Sequence, residues 1–221
     1  MRLAAALLLL GMISTAAAAA DRRVAVDINA PPWNAIAKVQ TNIGSRCTGV
    51  LVAPSVVLTA AHCLYNARTR ALLQPTSVHV LFGYERAGYR WHRLVTRLVV
   101  GPGFDGRNPP PQASDWARLE LAESVPILPL PLLTVAPAAG SAAALAGYNQ
   151  DREQLLMADL DCRILGATSG AGGSPFIAHN CEGTRGTSGG PLLVEQDGGW
   201  AVAGINVAAG RGVNLALAPP H

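Results

Sequence analysis

The chain has 221 residues, half of them apolar and only 14% charged, with a formal net charge of +3. That length allows one large domain or two small ones. The charge is small and no Lys/Arg run supports nucleic acid as a partner.

Residues 1–20 read as a secretory signal peptide rather than as fold. Arg2 supplies the positive start, Leu3 to Ile13 the apolar stretch, and Ala18-Ala19-Ala20 a small-residue cleavage site before Asp21. No later segment reaches the ~18 uninterrupted apolar residues of a transmembrane helix, so no membrane association is expected after cleavage. The expected location is secreted or periplasmic, an oxidising setting for the four cysteines. Four cysteines allow three pairings. Neither Cys-x-x-Cys nor His-x-x-x-His spacing occurs, so no metal is expected.

Short strands with turn signals follow. Pro31-Pro32-Trp33 reads as a turn with an aromatic plug, and Ile36 to Val39 begins a strand. Cys47 to Val52 and Val56 to Leu58 are β-branched runs split by Ala53-Pro54-Ser55. Tyr65 to Leu73 reads as a loop with a helical turn. Val78 to Phe82 and Arg93 to Val100 read as strands, Gly101 to Ala113 as irregular chain, and Trp116 to Leu121 as a further strand. Val125 to Pro137 carries four prolines and suits a crossing segment better than a central strand. Beyond it, Ala142 to Tyr148, Leu155 to Leu165, Pro191 to Val194, Trp200 to Val207 and Val213 to Leu217 are strand candidates, with a flexible loop over Gly166 to Gly173. The pattern indicates an all-β protein.

Two stretches carry chemistry. Thr184-Arg185-Gly186-Thr187-Ser188-Gly189-Gly190-Pro191 places a serine among three glycines. A serine hydroxyl needs a base to take its proton and donors to hold the oxyanion formed on attack at a carbonyl. Glycines let the chain turn tightly enough for N–H groups such as those of Gly186 and Ser188 to converge. Far upstream stands Leu58-Thr59-Ala60-Ala61-His62-Cys63. Thr-Ala-Ala-His-Cys followed later by Ser-Gly-Gly-Pro resembles the chymotrypsin-like (trypsin-fold) serine peptidases, on the side of bacterial secreted members such as the glutamyl endopeptidases. The resemblance runs from about Cys47 to Asn214.

It implies two antiparallel six-stranded β-barrels with the active site in the cleft between them. The first barrel is expected over 21–124, the crossing segment over 125–137 and the second barrel over 138–221. His62 is then the base and Ser188 the nucleophile. Asp115, before the apolar run Trp116 to Leu121, is the residue that orients His62, in the chain order His, Asp, Ser. Its rival, Asp105 in Gly-Phe-Asp-Gly, reads as a turn residue. Of the other histidines, His79, His92 and His221 read as structural or surface groups and His179 as a loop residue. The backbone N–H groups of Gly186 and Ser188 are the expected oxyanion donors. The same resemblance implies the disulfide Cys47–Cys63, leaving Cys162–Cys181.

Two departures stand out. The trypsin-like digestive enzymes carry an Asp before the nucleophile to pair with a new amino terminus; here that residue is Thr187, so activation of that kind is not expected. The specificity pocket maps onto Glu182, Thr184 and Asn206. Glu182 stands at the acidic floor of trypsin, which by resemblance favours Arg or Lys, although Arg185 lies near enough in sequence to neutralise it. Asn206 stands where glutamyl endopeptidases carry His, which argues against glutamate preference. The expected function is a monomeric serine endopeptidase acting on polypeptides without a cofactor. The alternatives are a catalytically silent binding protein of the same fold and an enzyme that cleaves esters alone.

Overall fold

The computed structural model describes residues 20–108, 111–169, 175–210 and 212–220. The expected signal segment, but for Ala20, lies outside them, as do His221 and residues 170–173 of the expected 166–173 loop. No α-helix occurs among the described residues. In chain order the strands are β1 (Arg23–Ala25), β2 (Ile36–Thr41), β3 (Arg46–Ala53), β4 (Val56–Thr59), β5 (Tyr65–Asn66), β6 (Ala71–Leu72), β7 (Val78–Phe82) and β8 (Trp91–Val100). They continue with β9 (Ala117–Leu121), β10 (Ala142–Gly147), β11 (Met157–Ser169), β12 (Pro175–His179), β13 (Pro191–Gln196), β14 (Gly199–Ala209) and β15 (Asn214–Leu217).

Strands β2, β3, β4, β9, β8 and β7 close a six-stranded antiparallel barrel. A second sheet runs β11-β10-β13-β14-β15-β12, and β12 returns to pair with β11, closing a second barrel. Strand β11 is long enough to serve two neighbours along one edge. Its far half pairs Ile164 to Ser169 with β12, while its near half pairs Asp159, Ala158 and Met157 with Arg23, Val24 and Ala25 of β1. The amino-terminal arm thus fills an edge the barrel leaves open, as unpaired ladder groups demand.

Alternation places Val39, Val50, Val57, Val80, Val95 and Leu119 inside the first barrel, and Leu145, Ile164, Leu192 and Ala216 inside the second. Each fully buried side chain of this size contributes about 1.5–3 kcal/mol of transfer free energy. A third cluster joins the barrels: Ile36 and Tyr84 from the first meet Ala146, Tyr148 and Leu156 from the second, with Trp33 against them. Trp33 also lies 6.2 Å from the Trp200 ring, which makes it the plug expected of it.

The proline-rich stretch behaves as a strap. Leu130 N–H donates to Leu51 on β3, and Leu133 N–H donates to Val202 on β14, so the crossing segment touches both barrels through its non-proline residues. Four strands were not expected from sequence. β1 and the β5–β6 hairpin are too short to show periodicity, and β12 is a brief apolar run after a glycine-rich stretch. The helical turn expected within 65–73 lies earlier, as a 3-10 turn at Ala61–Leu64. Strand β11 runs through Gly166 to Ser169, where a loop was expected, because β12 pairs with each of these residues.

Candidate active site

Strand β4 delivers the chain to the 3-10 turn that carries His62, and the neighbouring Cys63 is bonded to Cys47 on β3, with an S–S distance of 2.01 Å. That bond closes a loop with a separation of 16 residues, a cross-link worth about 3 kcal/mol in the chain-entropy account. Asp115 lies just before β9 and is fully buried. Its two oxygens serve one residue: Oδ1 accepts from the main-chain N–H of His62 at 2.8 Å, and Oδ2 lies 2.7 Å from His62 Nδ1. A carboxylate gripping both backbone and ring fixes the imidazole tautomer and leaves Nε2 as the free nitrogen. Gly101 makes this placement possible, since a Cβ there would lie 2.4 Å from the carbonyl oxygen of Ser114. Asp105 instead closes a local turn, binding the Arg107 guanidinium and N–H.

The Ser188 stretch is clamped from the first barrel. Thr48 N–H on β3 donates to the Ser188 carbonyl at 2.9 Å. The Thr48 hydroxyl donates to the Gly186 carbonyl at 2.8 Å and accepts from Tyr148 N–H at 2.9 Å. The Ser188 carbonyl lies 4.0 Å from Sγ of Cys63, the residue next to His62. So His62, Asp115 and the Ser188 turn come together, from positions far apart in the chain. Gly189, at φ +80°, sits so close to β3 and β4 that a Cβ would lie 2.2 Å from both the Thr48 carbonyl and the Thr59 hydroxyl.

Within the turn the donors divide. Thr187 N–H binds Thr184 O, Gly189 N–H binds Asn206 O and Gly190 N–H binds Thr187 O. The N–H groups of Gly186 and Ser188 have no acceptor among the described residues. Gly186 takes φ +94°, and a Cβ would lie 2.2 Å from the Tyr148 carbonyl, so only glycine fits without strain. Among the described residues the Ser188 hydroxyl makes no hydrogen bond.

Thr187 is buried, and its hydroxyl donates to Asn149 Oδ1 at 2.8 Å. The same oxygen accepts from Thr184 N–H at 2.8 Å, while Asn149 Nδ2 donates to the Gly147 carbonyl at 3.0 Å. A neutral amide therefore holds both ends of the turn. Neither Thr48 nor Asn149 was singled out from sequence: one follows a cysteine, the other a strand, and no local pattern marks either.

The expected pocket residues divide as well. Glu182 and Thr184 line a cavity of about 340 Å³ with Asp21, Arg23, Asn180 and Asn214. The Glu182 carboxylate accepts from the main-chain N–H of Arg22 at 2.8 Å, and Arg22 Nε lies 3.8 Å away. Its neutralising partner is thus Arg22, not Arg185. Asn206 on β14 lies beneath Gly189 and pairs with His179, its Oδ1 3.2 Å from His179 Nε2. His179 is a strand residue of β12, fully buried, rather than part of a loop. Burial pushes its pKa down to about 4, so it is neutral, and its Nδ1 has no partner among the described residues.

Cys162 and Cys181 are joined, tying β11 to the segment that leads into Glu182. Cys47, His62 and Cys63 could by position hold a metal ion, but the two sulfurs are bonded to each other and offer no thiolate.

Two six-stranded antiparallel barrels with a buried Asp–His pair beside a glycine-rich serine turn define the chymotrypsin-type serine hydrolase fold. The chain belongs to the trypsin family, whose model, described as Trypsin, matches residues 22–219. It is 31% identical over 192 residues to Serine protease 56 of Homo sapiens, covering 76% of this chain and 31% of that protein. It is 28% identical over 106 residues to Glutamyl endopeptidase of Bacillus licheniformis, covering 48% of this chain and 32% of that one. The chain thus spans about a third of each of these relatives. A solved Glu endopeptidase in complex with MPD superposes with a TM-score of 0.75 at 20% identity, covering 90% of this chain and 91% of the other.

Proposed function

We propose that this chain is a secreted, monomeric serine endopeptidase that cleaves polypeptides through Ser188, His62 and Asp115. The observation that carries the reading is the Asp115 carboxylate bound to both the backbone and the ring of His62, next to a turn that leaves two N–H groups unclaimed. Ser188 Oγ attacks the peptide carbonyl while His62 Nε2 takes its proton. The N–H groups of Gly186 and Ser188 receive the developing oxyanion. The imidazolium then protonates the departing amine as the C–N bond breaks, leaving an acyl-enzyme. Water, deprotonated by His62, attacks the acyl carbon, and the tetrahedral species collapses to release the acid and restore the serine. Asp115 keeps its charge throughout and favours the imidazolium.

Both disulfides and the apolar run at residues 3–13 support export. The engagement of Glu182 by Arg22 argues against a simple preference for Arg or Lys substrates, because the carboxylate already has a cationic neighbour.

The test is labelling of the folded protein by a fluorophosphonate, with Ser188→Ala alongside and a peptide library to define cleavage. Labelling that vanishes in Ser188→Ala, together with peptide cleavage, supports the reading. Absence of labelling favours a binding protein of this fold, and labelling with ester but no peptide turnover favours an esterase.

A further inference from the structure

We propose that Arg23 and Asp151 are positioning residues for the oxyanion turn, which makes the amino-terminal arm a working part of the active site; the proposal rests on the peptidase reading. The turn opens at Thr184, whose N–H is held by Asn149 and whose hydroxyl donates to Asp151 Oδ1 at 2.8 Å. The Asp151 carboxylate is held by Arg23, with Nη1 at 3.0 Å from Oδ1 and Nη2 at 2.7 Å from Oδ2. Two parallel contacts of this kind fix the plane of a carboxylate as well as its place. The Arg23 guanidinium is itself fixed by a second carboxylate, from Asp21, and its backbone by the pairing of Arg23 in β1 with Asp159 in β11. It is also nearly buried, with 9% of its side chain exposed, whereas Asp151 is 44% exposed. Alone in solvent, Asp151 would turn freely and the Thr184 hydroxyl would keep only its longer contacts, to Asn149 Oδ1 at 3.3 Å and to the Arg185 carbonyl at 3.4 Å.

Arg22 braces the neighbouring wall. Its guanidinium binds the fully buried Asp159 carboxylate at 2.8 Å and the Asn180 carbonyl at 2.7 Å, while its N–H binds Glu182. Successive arginines thus hold the two ends of the segment 180–184 that leads into the turn. The residue that ends this turn, Thr187, is uncharged, so an amino group created by cleavage finds no carboxylate there. Trimming the chain to begin at Val24 removes both arginines and leaves the buried Asp159 carboxylate with the N–H groups of Asp161 and Glu182 alone.

The experiment uses the chain beginning at Asp21, with Arg23→Ala, Arg23→Lys, Thr184→Val and the Arg23→Ala/Thr184→Val pair. It reads kcat and KM on a peptide substrate, thermal melting, and fluorophosphonate labelling. A hydrogen bond to a charged group is worth about tenfold in rate when it acts on the transition state, so Arg23→Ala and Thr184→Val each lower kcat about tenfold with little change in KM. Because both act through one relay, the pair is no slower than either alone, and Arg23→Lys, which keeps the charge but not the paired contacts, recovers part of the loss. Unchanged kcat in Arg23→Ala, or losses that multiply in the pair, overturn the proposal. Should Arg23→Ala fail to fold, Asp151→Asn is read by the same criteria. Wild-type protein that does not label at Ser188 overturns the peptidase reading; wild-type that labels beside a fully active Arg23→Ala overturns this inference alone.

Discussion

Thr48→Val removes one hydroxyl and keeps the side-chain shape. Thr48 is fully buried, and its hydroxyl bridges the Tyr148 N–H of the second barrel to the Gly186 carbonyl of the serine turn. The substitution leaves a buried N–H without a partner, at about 1–3 kcal/mol, and a half-buried carbonyl without one, at about 1 kcal/mol. The expected loss of unfolding free energy is about 2–4 kcal/mol, measured by urea titration. Against a typical total of about 5–15 kcal/mol the protein stays folded. The catalytic effect is separate: with the Gly186 carbonyl released, the turn that carries the proposed oxyanion donors keeps only the Thr48 N–H to Ser188 carbonyl bond as its tie to Thr48. Removal of one such donor costs about 10²–10³ in known cases, so a displaced one should lower kcat about 10–100-fold with KM little altered. A variant that loses less than about 1 kcal/mol and keeps kcat within about twofold refutes the claim that Thr48 holds the two barrels in catalytic register.

Gly186→Ala forces a Cβ to within 2.2 Å of the Tyr148 carbonyl at a φ of +94°, so the turn must rearrange. Fluorophosphonate labelling should slow at least about 10²-fold while far-UV circular dichroism is retained; an unslowed rate argues that this N–H does not meet the oxyanion. His179 is neutral in the folded protein, with its pKa pushed down to about 4 by burial, against an ordinary value near 6.5. Between those values the unfolded chain binds a proton that the folded chain refuses, so stability is lost as pH falls from about 6.5 towards 4, by about 3 kcal/mol in all. His179→Gln should flatten that part of the stability–pH profile, and a profile of unchanged slope assigns the acid lability to other groups.

The strands, and the His and Ser motifs that carry the resemblance and with it the two-barrel expectation, were legible in the linear chain because each signal is local. Alternating apolar runs bury one face of a strand, proline and glycine mark the breaks, and the His and Ser motifs are continuous strings. Thr187 was legible in the same way, as an uncharged residue where related enzymes carry Asp. Local strings do not report what lies opposite them. The partner of Thr187 is Asn149, 38 residues away in sequence, and the partner of Thr48 is a carbonyl 138 residues away. Glu182 read as a pocket carboxylate that Arg185 could neutralise, yet Arg22 meets it from a separation of 160 residues. Residues 23–25 are too few to show a period, and only the open edge of β11 makes them a strand. Hydrophobic alternation is a property of neighbours in the chain and can be read there. Hydrogen bonds between buried polar groups depend on which surfaces close over one another, and that was decided only when the two barrels met.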